Sequence, residues 1–249
     1  MFEKLFLNVL LYLFLFAVSS ILLDYFDFKI LKTLVLAAFA VISIYISIKL
    51  FPYSIDRLYS LETNKKHWLL VGFILPVFSF FLIYVTNKIN GYLAGISFDY
   101  SNVLGVTISQ MYVAITEELF YRGLIFYTLY KTSKKLVLSV LVSSMIFSLF
   151  HGFTHSIYSE YQFFISSFIL GVILCLIFIL SKSIWPSIVF HFINNFLCET
   201  IDFNLGVYEK YLTALSSVMF LPFVLPLLFF SLYFYFFKVR KLLSNEVDF

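Results

Sequence analysis

Apolar runs of roughly bilayer length recur along the chain, divided by short polar stretches. A helix of ~20 residues spans the ~30 Å hydrocarbon core of a membrane. Eight such runs can be drawn, at about 5–23, 30–51, 68–86, 103–130, 136–157, 161–181, 184–200 and 214–237. The pattern predicts an all-α, polytopic transmembrane helical bundle. It is read as a single integral membrane domain over 1–249, with its chemistry-bearing core at about 103–200. The first run follows Met1-Phe2-Glu3-Lys4 and exceeds a signal-peptide core, so it reads as a retained helix. The fourth is long enough to tilt or protrude. Gly152, Thr154 and His155 dilute the end of the fifth, and Trp185-Pro186 marks the start of the seventh. Asn90, Gly91, Gly95 and Asp99 interrupt the connection at 87–102, where an amphipathic or re-entrant piece fits.

Charge sets an orientation on this bundle. Lys4, Lys49, Arg57, Lys65, Lys66, Lys131, Lys134, Lys135, Lys182, Lys238, Arg240 and Lys241 fall on one side. Lys29, Lys32, Lys88 and Lys210 fall on the other. The positive-inside rule then places both termini in the cytoplasm. Composition agrees with a membrane protein: 62% of the 249 residues are hydrophobic and 12% are charged. A soluble domain has about 45–50% apolar and about 25% charged residues. A net charge of +3, dispersed along the chain, gives no nucleic-acid footprint. Abundant Phe, Tyr, Ile, Asn and Lys point to a low-GC bacterial source, and so to a bacterial plasma membrane. Cys175 and Cys198 lie in apolar runs and read as small hydrophobes without a disulfide.

The fourth run breaks its own pattern at Thr116-Glu117-Glu118-Leu119-Phe120-Tyr121-Arg122. An ionisable group at the bilayer centre costs about 2.5–3.5 kcal/mol on insertion scales, so three together imply function. Glu118 and Arg122 stand four residues apart on one helix face and can neutralise each other. Glu117 is turned about 100° away and has no partner in its own segment. A carboxyl of that kind suits the taking and returning of a proton. The fifth run places His151 one turn after Phe147, behind a stripe of Ser139, Ser143, Ser144 and Ser148 that permits close helix approach. The seventh places His191 and Asn195 on one face, and both can donate to a developing oxyanion. Asn194 points elsewhere on that helix. The plainer alternatives are a structural ion pair, a packed histidine and an interhelical hydrogen bond. His151 and His155 make a one-turn pair without the glutamate of the zinc-protease helix, and His67 reads as an interfacial residue. The three runs together supply a base, a second imidazole and two oxyanion donors, with no serine or cysteine nucleophile beside a base. One expectation strains this picture. His151 lies about 24 Å along its run and His191 only about 10 Å along its own.

The order Glu117-Glu118 with Arg122, then Phe147 with His151, then His191 with Asn195, resembles the CPBP family of intramembrane proteases. This family covers CAAX proteases and bacteriocin-processing proteins and is also called Abi. All three motifs are present without substitution, over about 117–195. The eight-run reading is similar to the family's eukaryotic CAAX prenyl protease. The resemblance implies that Glu117 and His151 activate a water, that His191 and Asn195 stabilise the oxyanion, and that Glu118 and Arg122 position the site. It leaves the metal open. A metal-free water is favoured, while Glu117, His151 and His191 would supply the N/O ligands if Zn2+ were held.

The resulting expectation is an intramembrane endopeptidase acting on a membrane-associated protein or peptide. Its partners are then the lipid bilayer and a peptide substrate, such as a pheromone or bacteriocin precursor. A bacteriocin self-immunity protein whose protection needs no catalysis is the alternative. A proton-coupled transporter fits less well, because the chain lacks internal repeats.

Overall fold

The computed structural model describes Tyr45 and residues 66–89, 91, 95–154 and 160–204. The runs at 5–23, 30–51 and 214–237, the orientation of the termini and His155 lie outside the described residues. Within them, α1 (Lys66–Ile89) leads to β1 (Gly95–Phe98) and then α2 (Val103–Glu118). A π-helical segment (Leu119–Phe126) passes into α3 (Tyr127–Ser133). Then come α4 (Leu136–Thr154), α5 (Glu160–Ser181), α6 (Trp185–Thr200) and β2 (Ile201–Asn204). These helices coincide with the third to seventh apolar runs. Two of them are long and apolar enough to cross a membrane, over His67–Ile89 and Phe164–Ser181, and Leu136–His151 is a shorter apolar helix.

On α1 and α4 much of the exposed face is large and apolar, while small residues mark the buried contacts. On α1, Leu70, Phe73, Ile74, Val77, Phe78 and Phe81 are exposed, while Gly72, Pro76, Ser79 and Asn87 are buried. On α4, Val137, Leu138, Leu141, Met145 and Leu149 are exposed, while Ser139, Ser143, Ser144 and Ser148 are buried. In water this would be inverted. In lipid no hydrophobic force draws helices together, and small residues at the interface let backbones approach and pack. A Cβ on Gly72 would stand 2.5 Å from the Pro186 carbonyl oxygen of α6. A Cβ on Gly171 of α5 would meet Ser144 of α4 at 3.0 Å. The serine stripe therefore does set the α4–α5 contact, and Ser148 Oγ donates to the Phe164 carbonyl across it.

Two features depart from a uniform bundle. The fourth run is not one α-helix, since Leu119–Phe126 is wound as a π-helix and every residue in it is buried. The wider winding shifts backbone bonding to i→i+5. Ser143 Oγ from α4 donates to the Tyr121 carbonyl at 3.0 Å, adding a side-chain partner within the segment. The bundle is helical as expected, with one short addition that the sequence reading missed: β1 and β2 pair antiparallel with Ile96 opposite Phe203 and Phe98 opposite Ile201. Both segments alternate apolar and polar residues, Ile-Ser-Phe-Asp and Ile-Asp-Phe-Asn. That period of two is the mark of a strand. The Asp99 carboxylate accepts from both the amide and the hydroxyl of Ser101, turning the chain from β1 into α2. These bonds hold its carboxyl below the usual carboxylate range.

Gly72→Leu should lower the thermal midpoint in detergent, because overpacking of about 1–3 kcal/mol falls on a backbone carbonyl that cannot move aside. Gly95→Ala, where an added Cβ meets nothing within 4 Å, should leave it unchanged.

Candidate active site

Glu118 and Arg122 lie where the α2 helix gives way to the π-helical segment, and both are fully buried. Arg122 Nη1 donates to Glu118 Oε1 at 2.8 Å, and Nη2 donates to the Gly171 carbonyl of α5 at 3.1 Å. The guanidinium also lies over the Phe147 ring, 4.7 Å from its centroid. Such a cation–π contact gains strength when desolvated. Buried Cys175 sits beside this group and Ser144.

The self-neutralising pair is thus present, but it is not self-contained. His191 Nδ1 meets the same Glu118 Oε1 at 2.9 Å, joining α6 to α2. Phe147 packs between the two histidines as well, with ring centroids 4.2 Å from His151 and 5.9 Å from His191. Residues that spacing treats as separate pairs therefore form one cluster on α2, α4 and α6. Gly171 and Cys175 were not singled out as site residues. The only signal for Gly171 was its small size inside an apolar run.

Glu117 faces the other way, as its position on the helix requires. Its Oε2 stands 3.6 Å from His151 Nε2 and 3.8 Å from His191 Nε2. The mismatch in depth is narrowed by the α5–α6 turn. Ser187 Oγ donates to the Leu174 carbonyl, so the first turn of α6 lies about 10 Å inside the end of α5. His191 is a further turn inward.

Hydrogen bonds fix the ring tautomers. His151 Nδ1 contacts the Phe147 carbonyl at 2.9 Å, and a carbonyl only accepts, so that nitrogen carries the hydrogen. His191 Nδ1 likewise faces a carboxylate oxygen. In their neutral forms both rings then present Nε2 lone pairs to Glu117 Oε2. Three acceptors converge at separations too long for direct hydrogen bonds. Glu117 Oε2 and His191 Nε2 are buried atoms with no hydrogen-bond partner. A water lying between such groups can donate to two of them, which suffices for the two orphaned atoms.

Tetrahedral zinc bonds of ~2.1 Å place ligand atoms ~3.4 Å apart, and Glu117 Oε2 stands 3.6 and 3.8 Å from the two Nε2 atoms. Among the described residues no group of three His, Cys, Asp or Glu side chains is arranged to hold a metal ion. Asn195 is half-buried, and its Oδ1 accepts from buried Asn194 at 3.5 Å. Asn195 makes no hydrogen bond to Glu117 or His191 in this structure. Exposed His67 stacks at a tilt on Trp68, away from the cluster.

Residues 99–197 match the family model of Rce1-like proteins, described as type II CAAX prenyl endopeptidases. The recognition of a CAAX-protease relative therefore stands on an independent comparison. The matched segment of this protease family contains the whole Glu117–Asn195 constellation. Neither a curated protein nor a solved structure matches the chain.

Arg122→Met should destabilise the fold by about 3–5 kcal/mol in detergent melts, since it strands a buried carboxylate. Adding Glu118→Gln should recover much of that loss. Stringent chelation should leave a purified, active preparation unaffected, with no stoichiometric zinc in elemental analysis.

Proposed function

We propose that the chain is a membrane-embedded endopeptidase that hydrolyses a peptide bond of a membrane-associated protein or peptide with a water activated by Glu117 and His151. The observation that carries this reading is the convergence of Glu117 Oε2 with two imidazole nitrogens whose opposite nitrogens are already engaged. The match to a protease family supports the reaction class.

The chemistry follows from these positions. Water between Glu117 and His151 attacks the carbonyl carbon as one of its protons passes to Glu117. The carbonyl π electrons move to oxygen and form a tetrahedral oxyanion. When His191 carries a proton on both nitrogens, Glu118 holds Nδ1–H and Nε2–H donates to the oxyanion. Asn195, one turn further along α6, supplies a second donor once substrate is present. Collapse of the intermediate breaks the C–N bond, and the proton on Glu117 passes to the leaving amine. The products are a carboxyl and an amino terminus.

Glu118, Arg122 and Phe147 act through His191 and His151. They lock the rotamers and tautomers on which donor and acceptor roles depend. Their burial keeps these hydrogen bonds away from competing water.

Against a library of internally quenched peptides, Glu117→Gln and His151→Ala should each lower kcat by about 10²–10⁴-fold. Asn195→Ala should lower it by about 10²–10³-fold. All should retain the wild-type melting temperature. Undiminished turnover by Glu117→Gln sinks the mechanism. If the same variant still protects a producing cell from its bacteriocin, the immunity reading takes its place.

A further inference from the structure

Among the described residues the two-stranded sheet has two outer edges, and the register fixes which backbone groups each presents: Ile96 and Phe98 on β1, Ile201 and Phe203 on β2, with Ile201 only part-exposed. The Asp99 amide donates to the Thr200 carbonyl at 3.0 Å, so this facing pair is a hydrogen-bonded one. Antiparallel pairs alternate between bonded and non-bonded. Ser97 with Asp202 and Gly95 with Asn204 are then bonded, while Phe98 with Ile201 and Ile96 with Phe203 are not. The backbone N–H and C=O of Ile96 and Phe98 therefore point away from β2. Among the described residues no third strand covers them. Ile96 and Phe98 are also exposed, at 37% and 49%.

The sheet sits at the end of the bundle where α2 begins and α6 ends. The side chains of Glu117 and His151 are 20% and 27% exposed, while Glu118 and Arg122 behind them are at 0%. Toward the sheet, α2 exposes Leu104, Ile108 and Met111, whereas beyond Glu118 every residue through Thr128 is buried. The strand β2 continues directly from α6. From His191 to Thr200 the helix covers about 13 Å. An extended peptide covers that distance in about four residues.

A peptide bond in a helix has its carbonyl engaged, so a substrate must unwind before water can attack. An unwound segment at membrane depth leaves N–H and C=O groups unsatisfied, at several kcal/mol each. Resting on the endopeptidase reading, we infer that the outer edge of β1 binds the substrate as an added strand. The Ile96 and Phe98 backbones bond a segment about four residues from the scissile peptide. The occupant is an extended stretch of the substrate chain, and recognition is through its backbone.

The test uses a quenched peptide that wild type cleaves and Glu117→Gln does not. Ile96→Pro removes an outward N–H without touching the β1–β2 bonds, and Ile96→Ala keeps that N–H while trimming the side chain. Ile96→Pro should raise KM about tenfold or more, with kcat near wild type, and Ile96→Ala should change KM little. In Glu117→Gln protein saturated with the peptide, hydrogen exchange at the Ile96 and Phe98 amides should slow. A wild-type KM for Ile96→Pro, or protection only at Ile201 and Phe203, overturns the assignment to β1. A wild type that cleaves no peptide removes the protease reading instead, before the strand is tested.

Discussion

The bifurcated use of Glu118 Oε1 is the constraint on which the centre of this molecule depends. One oxygen accepts from Arg122 at 2.8 Å and from His191 at 2.9 Å. A carboxylate, a guanidinium and an imidazole are all withdrawn from solvent there, which is tolerable only when each satisfies the others. Arg122 extends the link to the Gly171 carbonyl on α5 and to the Phe147 ring on α4. Three helices beyond its own segment are thus tied to two residues one helical turn apart. Because the tie uses Glu118, its neighbour Glu117 remains turned toward the exposed side of the cluster.

Close helix approach makes that tie reachable. Arg122 can reach a backbone carbonyl of α5 where Gly171 packs against Ser144. The π-helical winding belongs to the same arrangement. It places Leu119 to Phe126 wholly inside the bundle, and Ser143 supplies a donor to the Tyr121 carbonyl. Many large apolar side chains face outward on a surface that has no need of polarity, while the interior combines bulky apolar residues with small ones at the close contacts and one dense polar cluster.

Much of this was legible in the sequence. Five helices follow from the lengths of apolar runs, because a membrane requires every backbone group to be satisfied within its own segment. The partition of Glu117 from Glu118 and Arg122 follows from helical spacing alone. The strands were missed because four-residue alternations in Ile96–Asp99 and Ile201–Asn204 are too short to stand out among runs of twenty. The π-helical segment was missed because its residues, Leu119 to Phe126, read as ordinary helix formers. Asn195 was expected beside His191, and it does share that helix face, yet its hydrogen bond is to Asn194.

The sequence by itself determined which residues were candidates for chemistry, since only a handful of polar groups interrupt the apolar runs and all the motif residues but Glu117 have a turn-spaced partner. Tertiary structure decided which of them meet. The depth of His191 depends on where α6 begins against Leu174 of α5, and no count of residues along one run contains that information. The tautomer of His191 depends on a carboxylate held by α2, whereas that of His151 is set within its own helix by the Phe147 carbonyl. Local spacing fixes a side chain's direction around its own helix. Its distance from a group on another helix is set by how closely the backbones pack.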